Sequence, residues 1–235
     1  MSDTPKIAFV GIRRSGNHIL IEWVAKNYRN VKHFNDCIIK NRGNYITQAK
    51  THTYRGNGED DALFYSFEER TVSDVLAFIA DHGDQFDKVY FILRDAYNWG
   101  ASIMCGRDRR ALRDSIGLWK QYGTLYEMDP SSFLLYDKFI TDPSYIQKIK
   151  IENNLLESPD ELPGQFPSSG IGHGSSFFKG KSFTATVDDL IHRERKVKKK
   201  FKGGPPKAWN KLISDERVSE LNSIIFGRSS ADLDQ

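Results

Sequence analysis

Cysteine is nearly absent from this chain: its 235 residues include only Cys37 and Cys105, neither with a partner at metal-ligand spacing, so neither a disulfide scaffold nor a zinc site is expected. Long hydrophobic runs are missing as well. No stretch approaches the roughly 18 consecutive apolar residues of a membrane-spanning helix, and the mean hydropathy is −0.55, which excludes a transmembrane protein. The segment from Met1 to Lys6 leads directly into an apolar run, with neither a basic leader nor a small-residue cleavage site, so the expected location is the cytoplasm. A large excess of charge of one sign is also lacking, with 34 Lys and Arg against 31 Asp and Glu for a net charge of +3. Residues 193–207 nevertheless hold eight basic residues and one acidic one, which leaves −4 on the rest of the chain. That distribution argues against a general nucleic-acid coat and for one local segment that attracts an anion.

With 39% hydrophobic residues, the chain can bury one sizeable core, and a single domain over residues 1–235 is expected. Apolar runs at residues 6–12, 31–39, 45–49, 88–93 and 132–136 have strand length and little alternation, the pattern of strands buried on both faces. Helical periodicities lie between them. Ile19, Leu20, Trp23 and Val24 form one; Val72, Val75, Leu76 and Ile79 form another behind Thr71 and Asp74; Leu112, Ile116, Trp119, Tyr122 and Tyr126 form a third. The fold class implied is α/β, a three-layer architecture with a parallel β-sheet between helices. Residues 157–185 are rich in Ser, Pro and Gly and predict a lid or substrate loop. A last helix is expected behind Ser214, Asp215 and Glu216, burying Val218, Leu221 and Ile225 and stopping at Gly227.

The strongest local motif runs from Ile7 to His18: a buried strand, a turn with glycines at 11 and 16, then an amphipathic helix. Backbone amides at such a helix start form an anion cradle. The two glycines have the spacing of a nucleoside-triphosphate loop, but Asn17 and His18 replace the Lys and the Ser or Thr that hold the β/γ-phosphates and magnesium. A metal-free anion fits better, with Arg13 and Arg14 supplying positive charge.

Arg14-Ser15-Gly16-Asn17-His18 resembles the 5′-phosphosulfate loop of sulfotransferases that use 3′-phosphoadenosine 5′-phosphosulfate (PAPS), departing from it at Asn17 and His18, which are commonly threonines there. Further segments follow in that family's order. Val89 to Ser102 resembles the strand and helix whose Arg and Ser bind the 3′-phosphate, here Arg94 and Ser102. Lys50-Thr51-His52 resembles the segment whose histidine is the base on the acceptor hydroxyl, and Tyr136 to Pro143 the segment whose tyrosine lies against the adenosine. Phe201-Lys202-Gly203-Gly204 is similar to the basic-glycine segment that closes over the 3′-phosphate.

The resemblance implies a P-loop NTPase-like sulfotransferase fold and a metal-independent enzyme that moves a sulfuryl group from PAPS to a hydroxyl, or an amine, of a small-molecule or saccharide acceptor. It implies His52, Arg14 and Lys50 as catalytic residues. Cofactor-binding residues would be Arg13, Arg14, Ser15, Gly16, Asn17, His18, Arg94, Ser102, Tyr136, Lys202 and Gly203. Two other functions share these residues: a P-loop kinase or NTPase, and a non-catalytic polyanion-binding module built on the basic run.

Overall fold

A computed structural model describes residues 4–40, 44–47, 51–54, 61–68, 70–82, 85–105, 111–156, 158, 197, 200–201 and 206–233. The chain runs β1 (Lys6–Gly11), α1 (Asn17–Ala25), β2 (Val31–Phe34), β3 (Cys37–Lys40), β4 (Asn44–Thr47), β5 (Thr51–Tyr54), β6 (Ala62–Glu68) and α2 (Val72–His82). It continues with β7 (Lys88–Leu93), α3 (Ala96–Cys105), α4 (Ala111–Met128), β8 (Phe133–Leu135), α5 (Tyr136–Thr141) and α6 (Pro143–Asn153), then α7 (Lys207–Ile213) and α8 (Glu216–Phe226).

The sheet has the order β5-β2-β6-β1-β7-β8. Five of its strands, β2, β6, β1, β7 and β8, are mutually parallel. The expected parallel sheet is therefore present, with one difference: β5 adds an antiparallel edge to β2. Side chains alternate between two cores on opposite faces. Ile7 and Phe9 of β1, with Tyr90 and Ile92 of β7, pack with α1, α5 and α6. Ala8, Val10, Phe91 and Leu93 face the other way, onto α2, α3, α4, α7 and α8. Helices thus cover both faces.

From β1 the chain passes through α1 to β2, returns to β6 beside β1, and then crosses through α2 to β7 on the other side. The carboxyl end of β1 is therefore a topological switch point, where α/β sheets leave a crevice for ligands.

Several local expectations hold in detail. Thr71 Oγ1 accepts from the Asp74 N–H at 3.1 Å and donates to Asp74 Oδ2 at 2.6 Å, a reciprocal cap on α2. Asp215 accepts from the Val218 N–H to start α8, and Gly227 ends it with φ of 68°. Three expectations need correction. Residues 31–39 are two strands, because Asp36 takes a φ of 55° and turns the chain out of the sheet into the β3–β4 hairpin. Tyr136 starts α5 instead of ending a strand. β6, next to β1 and central to the sheet, was not among the expected strands, because Ser66 and Glu68 interrupt its apolar run near the carboxyl end. No described helix is long and apolar enough to cross a membrane. Most of the 157–185 segment lies outside the described residues. From the basic segment, Val197 is fully buried and Phe201 packs on the same core, while Lys200 between them is exposed.

Candidate functional site

The loop after β1 is a turn of alternating handedness. The Ser15 N–H donates to the Ile12 carbonyl at 3.1 Å, while Arg14 and Gly16 take positive φ of 73° and 89°. A left-handed arginine costs about 1–2 kcal/mol, a strain that must be met by the surroundings. Two indole and guanidinium donors meet it. Trp99 Nε1 donates to the Arg13 carbonyl at 3.0 Å, and Arg94 Nη1 donates to the Arg14 carbonyl at 3.2 Å. With both carbonyls tied back to the β7–α3 junction, the loop presents amide hydrogens at its open side.

Gly16 begins α1 without a side-chain cap. Its carbonyl takes the Ile19 and Leu20 N–H groups, while those of Gly16, Asn17 and His18 have no acceptor among the described residues. The Ser15 hydroxyl is fully buried and likewise has no hydrogen-bond partner. Buried polar groups are ordinarily paired. An oxyanion at the α1 N-terminus would satisfy all of them together, with the helix dipole adding to the attraction.

Gly16 is required there for a second reason. A Cβ on it would fall 2.0 Å from Cδ2 of Tyr136, whose ring lies directly beneath the loop, and the Arg94 guanidinium sits 4.6 Å from the centroid of the same ring. Tyr136 and Arg94 are each 2% exposed. In this arrangement both brace the loop from below.

The side chain at the position of the nucleotide-loop lysine turns inward. Asn17 Nδ2 donates to Glu68 Oε1 at 2.9 Å, and its Oδ1 lies so close to Gly11 that a Cβ there would come within 2.5 Å. Glu68 ends β6 and is the direct register partner of Gly11. His18, half-buried on the first turn of α1, has its pKa lowered by burial, partly offset by the negative charges of Asp36 and Glu22. Its imidazole is therefore neutral at pH 7.

Behind the loop lies a buried polar network. The Asp95 carboxylate caps α3 through the Tyr97 and Asn98 N–H groups and accepts from Asn222 Nδ2 at 2.9 Å, with Arg228 at 3.6 Å. Asp137 accepts from the Asp95 N–H at 2.7 Å and from Asn98 Nδ2 at 2.9 Å. Burial, with repulsion from Asp137, raises the pKa of Asp95 to about 6. A second buried chain joins β2 to β6. Ser66 Oγ donates to Asn35 Oδ1 at 2.9 Å, so it accepts from the protonated Nε2 of His33 at 2.9 Å.

Of the residues expected at a site, the fold thus gathers Arg13 through His18, Arg94 and Tyr136 at one strand edge. Ser102 is buried in α3. Lys50, Lys202 and Gly203 lie outside the described residues, as does the side chain of His52. The backbone of His52 is placed by register: it pairs with His33, then Phe64, then Ile7. That row crosses β1 four residues before Gly11, so His52 is about 14 Å across the sheet and about 13 Å back along the strands from the loop. Register therefore does not bring His52 to the loop. Glu68 and Asn222 are the site residues that sequence reasoning missed, and Trp99, which the sequence offers as a ring to stack on the acceptor, instead ties down the Arg13 carbonyl. The signal for Glu68 was an acid ending an apolar run that precedes a capped helix, which reads equally well as a loop residue.

Compared with models of known protein families and with curated protein sequences, the chain matches none.

Proposed function

We propose that this protein is a sulfotransferase that moves the sulfuryl group of PAPS to a hydroxyl or amine of a small-molecule or saccharide acceptor. The observation that carries the proposal is the cradle at Ser15 to His18: three open N–H groups and an orphaned buried hydroxyl at the switch point, with Arg13 and Arg14 beside it. What separates it from a triphosphate loop is Asn17, committed to Glu68, and His18, a neutral imidazole where a magnesium-binding hydroxyl would stand.

PAPS supplies a sulfuryl group activated by a phosphate leaving group. The Gly16, Asn17 and His18 amides would bind its 5′-phosphosulfate oxygens and hold them at the end of β1. Preorganised N–H donors of this kind stabilise charge that grows on the oxygens during transfer, and removing one such donor typically costs about 100-fold or more in turnover. Arg14, fixed by its own left-handed backbone, adds positive charge beside the cradle. Arg94 acts here as a brace for the loop as well as a cation near the donor.

Calorimetric titration with 3′-phosphoadenosine 5′-phosphate in the presence of a chelator tests the proposal, with ADP and magnesium-ATP as comparisons. Binding of the bisphosphate without metal, weakened at least about tenfold by Arg94→Ala, is the expected result. Preference for magnesium-ATP would favour a kinase, and salt-sensitive binding of heparin or RNA alone would favour a polyanion-binding module.

A further inference from the structure

We infer that Glu68 is the general base that takes the proton from the acceptor, an inference that rests on the sulfotransferase reading above. A base must stand within hydrogen-bond reach of the attacking atom, and that atom must in turn approach the group held at the start of α1. Three observations bring Glu68 to that place. It is the last residue of β6, the strand adjacent to β1 at the switch point. Its Cα is the register partner of Gly11, one strand spacing of about 5 Å away. Its carboxylate already touches the first residue of α1, through Asn17 Nδ2 at 2.9 Å. It is also half-buried, in keeping with a group at the wall of a crevice.

Four other titratable groups suit the task less well. His52 lies three strands away and four residues down the sheet. His33 is fully buried and commits Nε2 to Ser66. Asp95 and Asp137 are buried behind the loop in caps and amide contacts. Glu68 alone among these carboxylates and imidazoles borders both β1 and α1.

Asn17 then has a reason to differ from lysine. A lysine would set a full positive charge against the carboxylate, whereas the amide of Asn17 orients it through a neutral N–H. A carboxylate can accept several hydrogen bonds at once, so contact with Asn17 and with the acceptor hydroxyl are compatible. In the reaction the acceptor oxygen forms its bond to sulfur as its proton passes to the Glu68 carboxylate. The bond from sulfur to the bridging oxygen breaks, and its electron pair leaves on the phosphate of adenosine 3′,5′-bisphosphate.

Glu68→Gln is the informative variant, because its amide oxygen can still accept from Asn17 Nδ2 while it cannot take a proton. The full-length chain is assayed for sulfate released from labelled PAPS with water as the acceptor, and 3′-phosphoadenosine 5′-phosphate binding is measured on the same samples. Expected is a loss of about 100-fold or more in release, with binding kept within about threefold and the acid limb of the pH–rate profile abolished. Retention of wild-type release in Glu68→Gln would overturn the assignment, and more so if His52→Ala lost it. A parallel loss of bisphosphate binding would also overturn it, assigning Glu68 to positioning the loop through Asn17. Failure of the wild-type protein to bind the bisphosphate at all is a different result, which removes the sulfotransferase reading and the base together.

Discussion

Gly16 and Asn17 each do two things at adjacent positions of the loop. Gly16 takes a left-handed conformation and makes room for the Tyr136 ring, so Gly16→Ala adds a steric clash to backbone strain. A loss of about 2–4 kcal/mol in urea unfolding is expected, together with the loss of anion binding. Unchanged stability would mean that the ring does not lie beneath the loop. His18 makes a second testable residue. Its folded pKa lies below its ordinary value, so as pH falls through about 6.5 the unfolded chain takes up a proton before the folded one does. Stability should therefore drop below about pH 6.5 in the wild type and less so in His18→Gln, and an NMR titration should place the His18 midpoint below that of a free histidine. The glycines, the arginines and the strand-to-helix turn were legible in the sequence, because each has a local conformational reason. The inward turn of Asn17 was not, since its partner Glu68 lies 51 residues away.

At the level of elements, the caps of α2, α6 and α8 are written in short sequence patterns. Thr71 with Asp74, Asp142 before Pro143, and Asp215 before Glu216 all carry the bonds their residue types suggest. The α3 cap differs, because Asp95 is held by Asn222 from α8 as well as by its own helix. This buried group titrates with the opposite sign from His18. Its folded pKa is raised to about 6, so the folded state holds its proton more tightly and is stabilised as pH falls from about 6 toward the ordinary carboxylate range. Between those limits stability should decrease with rising pH, by up to about 1.4 kcal/mol per pH unit, and Asp95→Asn should remove that slope. Urea unfolding of both proteins across pH 4 to 7 checks this, and a slope that persists in Asp95→Asn would assign it elsewhere. β6 shows why elements at a site are harder to read. Its Ser66 and Glu68 break the apolar run because they serve His33, Asn35 and Asn17 across the sheet edge, so a polar role conceals a central strand.

For the molecule as a whole, alternating strands and amphipathic helices were sufficient to expect a parallel sheet covered on both faces. Strand order was not available from that pattern, and order decides which residues meet. His52 is the second residue of β5 and Glu68 the last of β6, yet one lies on an antiparallel edge three strands out and the other against β1. Sheet topology thus moves the proposed base from a histidine to a glutamate, while the proposed anion loop keeps its place between β1 and α1. The measurement that bears most directly on the whole assignment is the metal-free calorimetric titration of the wild-type chain with 3′-phosphoadenosine 5′-phosphate, run beside magnesium-ATP. Saturable binding of the bisphosphate in chelator, well above any binding of magnesium-ATP, is the outcome expected of the Ser15 to His18 cradle; no binding of the bisphosphate, or tighter binding of magnesium-ATP, would contradict it.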